Sequence, residues 1–185
     1  MVIDNITYPK AIFRNSDTLA SLGIKPYSET TPDNRYYHNG AYTVDTSGDE
    51  VVGTYAGTAR DVATLKASML DTINSQVASK QGAIDWYWAR ADKGGTAVPS
   101  NIATYATTIY SEQATKEGEV NALSTLDAIK LYEAKPHTEV RKVDNGDGTY
   151  GPATTSSTRH INMLQHWTAN PNDEVDPAFV SLTAD

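Results

Sequence analysis

The chain predicts an α+β fold: a small β-rich N-terminal module, a central antiparallel helical hairpin and an extended, turn-rich C-terminal region. Three observations carry this. Apolar residues recur at helical spacing only in the middle of the chain, between residues 62 and 123. Turn formers with β-branched and aromatic neighbours dominate on either side. The hydrophobic share is 39%, and 11 Tyr and 3 Trp stand against 2 Phe, a usage that suits a thin core and subunit contacts.

The first module spans 1–57. Ile6, Tyr8 and Pro9 open it in extended form. Ser16-Asp-Thr-Leu-Ala-Ser-Leu-Gly23 reads as one or two helical turns, with Ser16 as N-cap and Gly23 as C-cap. Arg35-Tyr-Tyr-His-Asn-Gly-Ala-Tyr-Thr-Val44 predicts a β-hairpin whose type I′ turn is Asn39-Gly40, because that turn needs two residues at positive φ. Residues 45–57 read as a loop with one short strand at Val51 and Val52.

The helical zone spans 58–135. Thr58-Ala-Arg-Asp61 supplies a capping signal, and Val62, Leu65, Met69, Ile73, Val77, Ile84 and Trp88 follow as one apolar stripe. Gly94-Gly95 ends it, and Pro99 starts a second helix with Ile102, Tyr105, Ile109, Val120 and Leu123 on its stripe. The stretch 111–119 within that helix is polar all round, so it is either a solvated spacer or is buttressed by another chain. Ser124-Thr-Leu-Asp127 caps a third, short helix that Lys135-Pro136 stops.

The last zone, 136–185, loses helical periodicity. Residues 139–143 and 149–150 flank Asp144-Asn-Gly-Asp-Gly148, so a hairpin is predicted there. Residues 159–167 read as a short helix. The tail beyond Asn170-Pro171 is extended, with Phe179, Val180 and Leu182 as apolar anchors, and is ordered only where something binds it.

Composition narrows the chemistry. A net charge of −8 without any Lys/Arg cluster argues against nucleic acid and membrane surfaces as partners. No apolar run suits a membrane span, and the start of the chain has no signal-peptide pattern. The absence of Cys removes thiolate nucleophiles and Cys-type zinc sites. The Asp144 turn begins like a calcium loop, but its twelfth position is Thr155, so turn chemistry is the reading; His160 and His166 are six apart and share no helical face. Asp85, Arg90 and Asp92 are spaced for ion pairing on a helix. No nucleophile elbow, P-loop or dinucleotide fingerprint is present. The expectation is a protein that is not an enzyme and takes no cofactor or metal.

Asp85-Trp-Tyr-Trp-Ala-Arg90 is the chain's densest recognition signal. Successive helix positions are about 100° apart, so three adjacent rings cannot share one core. At least one meets a second surface, either the 94–99 loop of the same chain or another subunit. Trp, Tyr and Arg are the preferred anchors of subunit contacts.

The segment Ile84-Asp-Trp-Tyr-Trp-Ala-Arg-Ala-Asp-Lys-Gly-Gly-Thr-Ala-Val-Pro-Ser100, followed by Thr104-Tyr105, resembles the helix–loop–helix of bacteriophage tail fibre and tail fibre assembly (tail assembly chaperone-like) proteins. Tyr8-Pro9, Leu22-Gly-Ile24 and Pro32-Asp-Asn-Arg-Tyr-Tyr37 resemble the N-terminal module of proteins from the same phage region. The likeness covers roughly residues 6 to 110; it departs at Ala106, where the family pattern has Arg, and in the added residues 136–185. It implies a virion structural protein of the phage tail: a tail fibre, fibre connector or baseplate-peripheral subunit. The implied partners are other tail or fibre proteins and copies of itself, with a trimer favoured. A tail assembly chaperone absent from the mature particle and a capsid decoration protein are the alternatives. The interface candidates are Trp86, Tyr87, Trp88, Arg90, Tyr105, Tyr36, Tyr37 and Tyr42, with Arg90 pairing a carboxylate and 36–42 forming a hairpin at an edge.

Overall fold

The computed structural model describes residues 2–3, 6–7, 16–174 and 176–185; Tyr8 and Pro9 lie outside them. The fold is α+β. Two compact units divide the chain, Met1–Arg60 and Asp61–Asp185, so the helical zone and the C-terminal zone, read from sequence as separate regions, share one unit. No helix among the described residues is long and apolar enough to cross a membrane.

The first unit starts with a short antiparallel ladder, β1 (Val2–Ile3) with β2 (Ile6–Thr7), followed by helix α1 (Ser16–Ser21). Its main sheet holds β3 (Tyr27–Thr30), β4 (Tyr37–Asp45) and β5 (Val51–Ala59) in the order β3-β5-β4. The expected turn at Asn39-Gly40 is not there. Both residues lie inside β4, where Asn39 pairs with Gly57 but Tyr42 with Tyr55, three steps against two. That is a β-bulge, which absorbs one extra residue without reversing the chain. The reversal comes after Asp45, and the expected loop 45–57 instead supplies the nine-residue central strand.

Two tyrosines explain why this strand carries Gly53. A Cβ there would lie 2.1 Å from the Tyr42 hydroxyl oxygen and 2.8 Å from that of Tyr27. The two hydroxyls are 2.7 Å apart, Tyr27 Oη donates to Glu29 Oε2 at 2.6 Å, and the Tyr42 ring leans on Tyr55 at 4.7 Å. Glu29, and after it Tyr42, hold the Tyr27 proton and push its pKa above the usual 10. Tyr36 is the buried apolar side chain of this unit among the described residues. The Arg35 guanidinium covers its ring at 4.9 Å, and Arg60 N donates to its carbonyl at 2.8 Å.

In the second unit, Asp61 caps α2 (Val62–Gly82) by accepting from Thr64 N at 2.9 Å, as its sequence indicates. After α3 (Asp85–Asp92) the chain turns back through α4 (Ser100–Ala122), and Thr125 caps α5 (Leu126–Glu133). Three side-chain bonds tie α2 to α4. Gln81 Nε2 donates to Ala106 O at 3.0 Å, Gln113 Nε2 to Asn74 Oδ1 at 3.0 Å and Lys66 Nζ to Asn121 O at 2.7 Å. Each step of seven or eight residues back along one helix matches the same step forward along the other, which is an antiparallel pairing kept on one face. Val77, Ile84, Ile102, Tyr105, Ala106 and Ile109 form the core between them. Each fully buried Ile contributes about 1.5–3 kcal/mol.

The C-terminal chain departs most from its sequence reading. Strands β6 (Lys135–Asp144), β7 (Tyr150–Ile161) and β8 (Phe179–Ala184) form an antiparallel sheet in the order β7-β6-β8. The predicted hairpin is present and far longer than residues 139–150. No helix forms over 159–167, because Arg159, His160 and Ile161 continue β7 against Lys135, Pro136 and His137. The tail is ordered by this chain itself: residues 179–184 pair with β6. At the turn, Asp144 Oδ1 accepts from Gly146 N at 2.8 Å, and Asp147 Oδ1 accepts from Thr149 N at 2.9 Å. Both carboxylates are engaged by the loop's own backbone, which is turn chemistry.

Residues 162–168 cross the polar middle of α4, so the face of that stretch carrying Glu112 and Lys116 is buttressed by this chain itself, while Ser111, Ala114, Thr115, Gly118 and Glu119 are exposed. Lys116, only 5% exposed, donates to Met163 O; Glu112 Oε1 accepts from Thr168 Oγ1 at 2.5 Å, and its Oε2 from Thr168 N at 3.1 Å. Trp167 Nε1 donates to Gln76 Oε1 at 2.5 Å and Leu164 O at 2.8 Å, while Lys116 Nζ and Lys80 Nζ lie 4.9 and 5.9 Å from its ring centre. Burial lowers the Lys116 pKa.

His166 sits in the same strap. Partial burial first, then Lys116 and His137 beside it, push its pKa below 6.5, against a smaller opposing pull from Glu112. The unfolded ring therefore binds protons that the folded one resists, so stability falls as pH drops through the window below about 6.5. The Tm of the wild type should decline from pH 7 to 5, and His166→Gln should flatten that decline. Parallel slopes would remove His166 from the account. The lowered carboxyls of Asp147 and Asp176 titrate below 3.8, outside this window.

Candidate interaction surface

Helix α3 is only eight residues long, and what precedes it fixes its direction. Ile84 is fully buried in the hairpin core and its N–H bonds Gln81 O at 2.9 Å, so the break between α2 and α3 is pinned from inside. With Ile84 inward, the 100° step sends the three rings to different environments. Tyr87 packs on the hairpin core and its hydroxyl donates to Asn172 Oδ1 at 3.1 Å. Trp86 and Trp88 remain 51% and 36% exposed.

The exposed Trp86 is not loose. Its ring stacks on Tyr87 with centroids 3.8 Å apart and planes at 30°. The Arg90 guanidinium carbon lies 5.0 Å from the Trp86 ring centre and 5.4 Å from that of Tyr87. Among the described residues Arg90 makes no ion pair with Asp85 or Asp92, contrary to their helical spacing; it stacks on rings, and its buried Nε has no hydrogen-bond partner. The turn behind it closes tightly, with Gly94 N on Ala91 O and Gly95 N on Arg90 O, both at 3.0 Å. A Cβ on Gly95 would come within 2.9 Å of Arg90 O and 2.8 Å of Arg90 Cγ. Gly95→Ala should therefore cost about 1–3 kcal/mol, read by urea unfolding. An unchanged midpoint would mean that the turn does not brace Arg90.

The eight sequence-derived candidates separate cleanly. Trp86, Tyr87 and Arg90 come together on α3, while Trp88 lies about 200° round the same helix from Trp86. Tyr105 is 3% exposed in the hairpin core and Tyr36 is 6% exposed, so both are core residues and not surface anchors. Tyr37 and Tyr42 lie in β4, an edge strand of the first unit's sheet, with Tyr42 at 41% exposure. In place of the hairpin expected over 36–42, Tyr36 ends a turn and residues 37–42 run within one strand.

Sequence reasoning missed the strap on α4 and the Arg cluster on the C-terminal sheet. There Glu139, 7% exposed, accepts from Arg141 Nη1 at 3.2 Å and Arg159 Nη1 at 3.0 Å, and Arg141 Nη2 reaches Asp176 at 2.6 Å. The signal for the strap was Trp167 itself, an isolated large ring in a polar segment opposite a polar helix face. Among the described residues no group of three His, Asp or Glu side chains converges as a metal ion would require. No known family, curated protein or solved structure matches this chain.

Proposed function

We propose that the chain is a structural, non-enzymatic subunit of a bacteriophage tail, at a fibre, fibre connector or baseplate periphery, and works through its contacts with neighbouring subunits in the virion. The observation that supports it best is the pair Trp86 and Trp88. An exposed indole held rigid by a stacked tyrosine and an arginine loses little conformational freedom when a partner covers it, so its burial converts efficiently into affinity. Trp88 adds a second partly exposed indole about 200° round the same short helix, and exposed Trp beside Tyr and Arg is the composition of an interface centre. The resemblance of residues 84–105 to phage tail proteins supplies the particle. On this reading the partners are other tail or fibre proteins and further copies of the chain.

Quantitative peptide mass spectrometry of purified particles tests it, normalised to tail-tube and capsid proteins. A fixed ratio to tail components is the expected result. Absence from particles with abundance in the infected lysate would make the chain an assembly chaperone, and a ratio near the capsid count would make it a decoration protein.

A further inference from the structure

Among the described residues strand β7 is the longest and lies at the edge of its sheet, with β6 on one side and no strand on the other. Pro152, which lacks an N–H, fits such a position. Apart from Gly151 and Ile161, which are half-buried, all its residues are exposed. Open edges of this length usually carry charges, Pro or a bulge that block pairing with other chains; β7 has Pro152 and an irregular register only at its Tyr150 end, which leaves 153–158 as the regular open stretch. Here no residue from 150 to 158 is charged, although the whole chain carries −8. In place of charges stand Thr154, Thr155, Ser156, Ser157 and Thr158.

This composition selects the occupant. A patch of one charge repels its own copy, whereas a hydroxyl both donates and accepts and so can face an identical hydroxyl. Acidic chains meet most easily where neither brings charge. We infer that β7 pairs antiparallel with β7 of a second copy across a two-fold axis, joining two three-stranded sheets into one of six strands. An axis through Ser156 sets that serine against its own equivalent, Thr154 opposite Thr158 of the partner subunit and Thr155 opposite Ser157 of the partner subunit. Cross-strand Thr–Thr and Thr–Ser pairs are favourable, and the open main-chain groups of both edges become paired. A two-fold contact is self-complementary, so one patch serves both subunits. This contact is independent of the aromatic surface on α3.

Sedimentation of the full chain over a concentration series tests it, with Ser156→Lys, Ser156→Glu and their equimolar mixture. The expected result is a wild-type mass that doubles with concentration, two single variants that stay at one chain, and a mixture that doubles again because Lys faces Glu. A wild type that remains one chain throughout would overturn the inference. So would a three-copy mass, or a dimer that survives Ser156→Lys but dissociates in Trp86→Ala/Trp88→Ala. If a charge variant fails to fold, hydrogen exchange of the wild type decides: amides of 153–158 that point away from β6 must slow with concentration, and unchanged rates count against pairing.

Discussion

Trp167→Ala is expected to cost the second unit about 3 kcal/mol of folding stability, the largest loss among the three tryptophans. The ring packs on the core shared by α2 and α4, its N–H satisfies Gln76 and the Leu164 carbonyl, and it faces two lysine ammonium groups. Its removal leaves a gap over this core cluster and takes away the ring beside Lys116, whose buried charge then loses part of its compensation. Trp167→Phe separates the contributions. It keeps most of the packing and gives up the indole hydrogen bonds, so about 1 kcal/mol should be lost. Urea unfolding with matched m-values measures both. A loss under about 0.5 kcal/mol for the alanine variant would place the strap outside the folding unit.

Trp86→Ala/Trp88→Ala is expected to behave in the opposite way. Trp86 is half exposed and Trp88 about one-third exposed, and the contacts of Trp86 are to Tyr87 and Arg90, whose stacking is worth about 0.5–1 kcal/mol at such a site. Neither ring is buried, so the double variant should still fold, with a smaller loss of stability than Trp167→Ala. Its defect should be in assembly, because interface anchors of this type each carry about 2–4 kcal/mol of binding and two together set most of an affinity. Normal assembly combined with a large folding defect would identify the rings as intrachain packing.

The helical part of the fold was legible because its signal is local. Met69, Ile73 and Val77 and then Ile102, Tyr105 and Ile109 repeat at helical spacing, and Asp61 and Thr125 cap where their side chains can reach the next N–H groups. The strand regions were not, because pairing with distant residues overrides short-range turn preference. Asn39-Gly40 has a strong hairpin composition, yet Gly40 is not among the glycines at positive φ, and β5 holds both residues in a bulged strand. Arg159 to Ile161 have no local reason to extend; their partners lie more than twenty residues earlier in β6. The polar middle of α4 misled for a related reason. Lys116 and Glu112 face a segment some fifty residues later, a contact that no periodicity announces.

The interface candidates divide by the same rule. Trp86 and Trp88 could be picked out because adjacent rings on a helix cannot share one core, which is local geometry. Tyr36 and Tyr105 carry the same aromatic signature, and only their long-range packing makes them core residues. Composition alone cannot separate a tyrosine that anchors a neighbour from one that anchors its own fold.

The most direct test of the central proposal is the copy number per particle of the wild type and of Trp86→Ala/Trp88→Ala, each shown to be folded by its Tm. The wild type is predicted in fixed ratio to tail components, with the double variant folded but lost from the particle. Equal incorporation of the two would contradict an assembly role for the aromatic surface of α3.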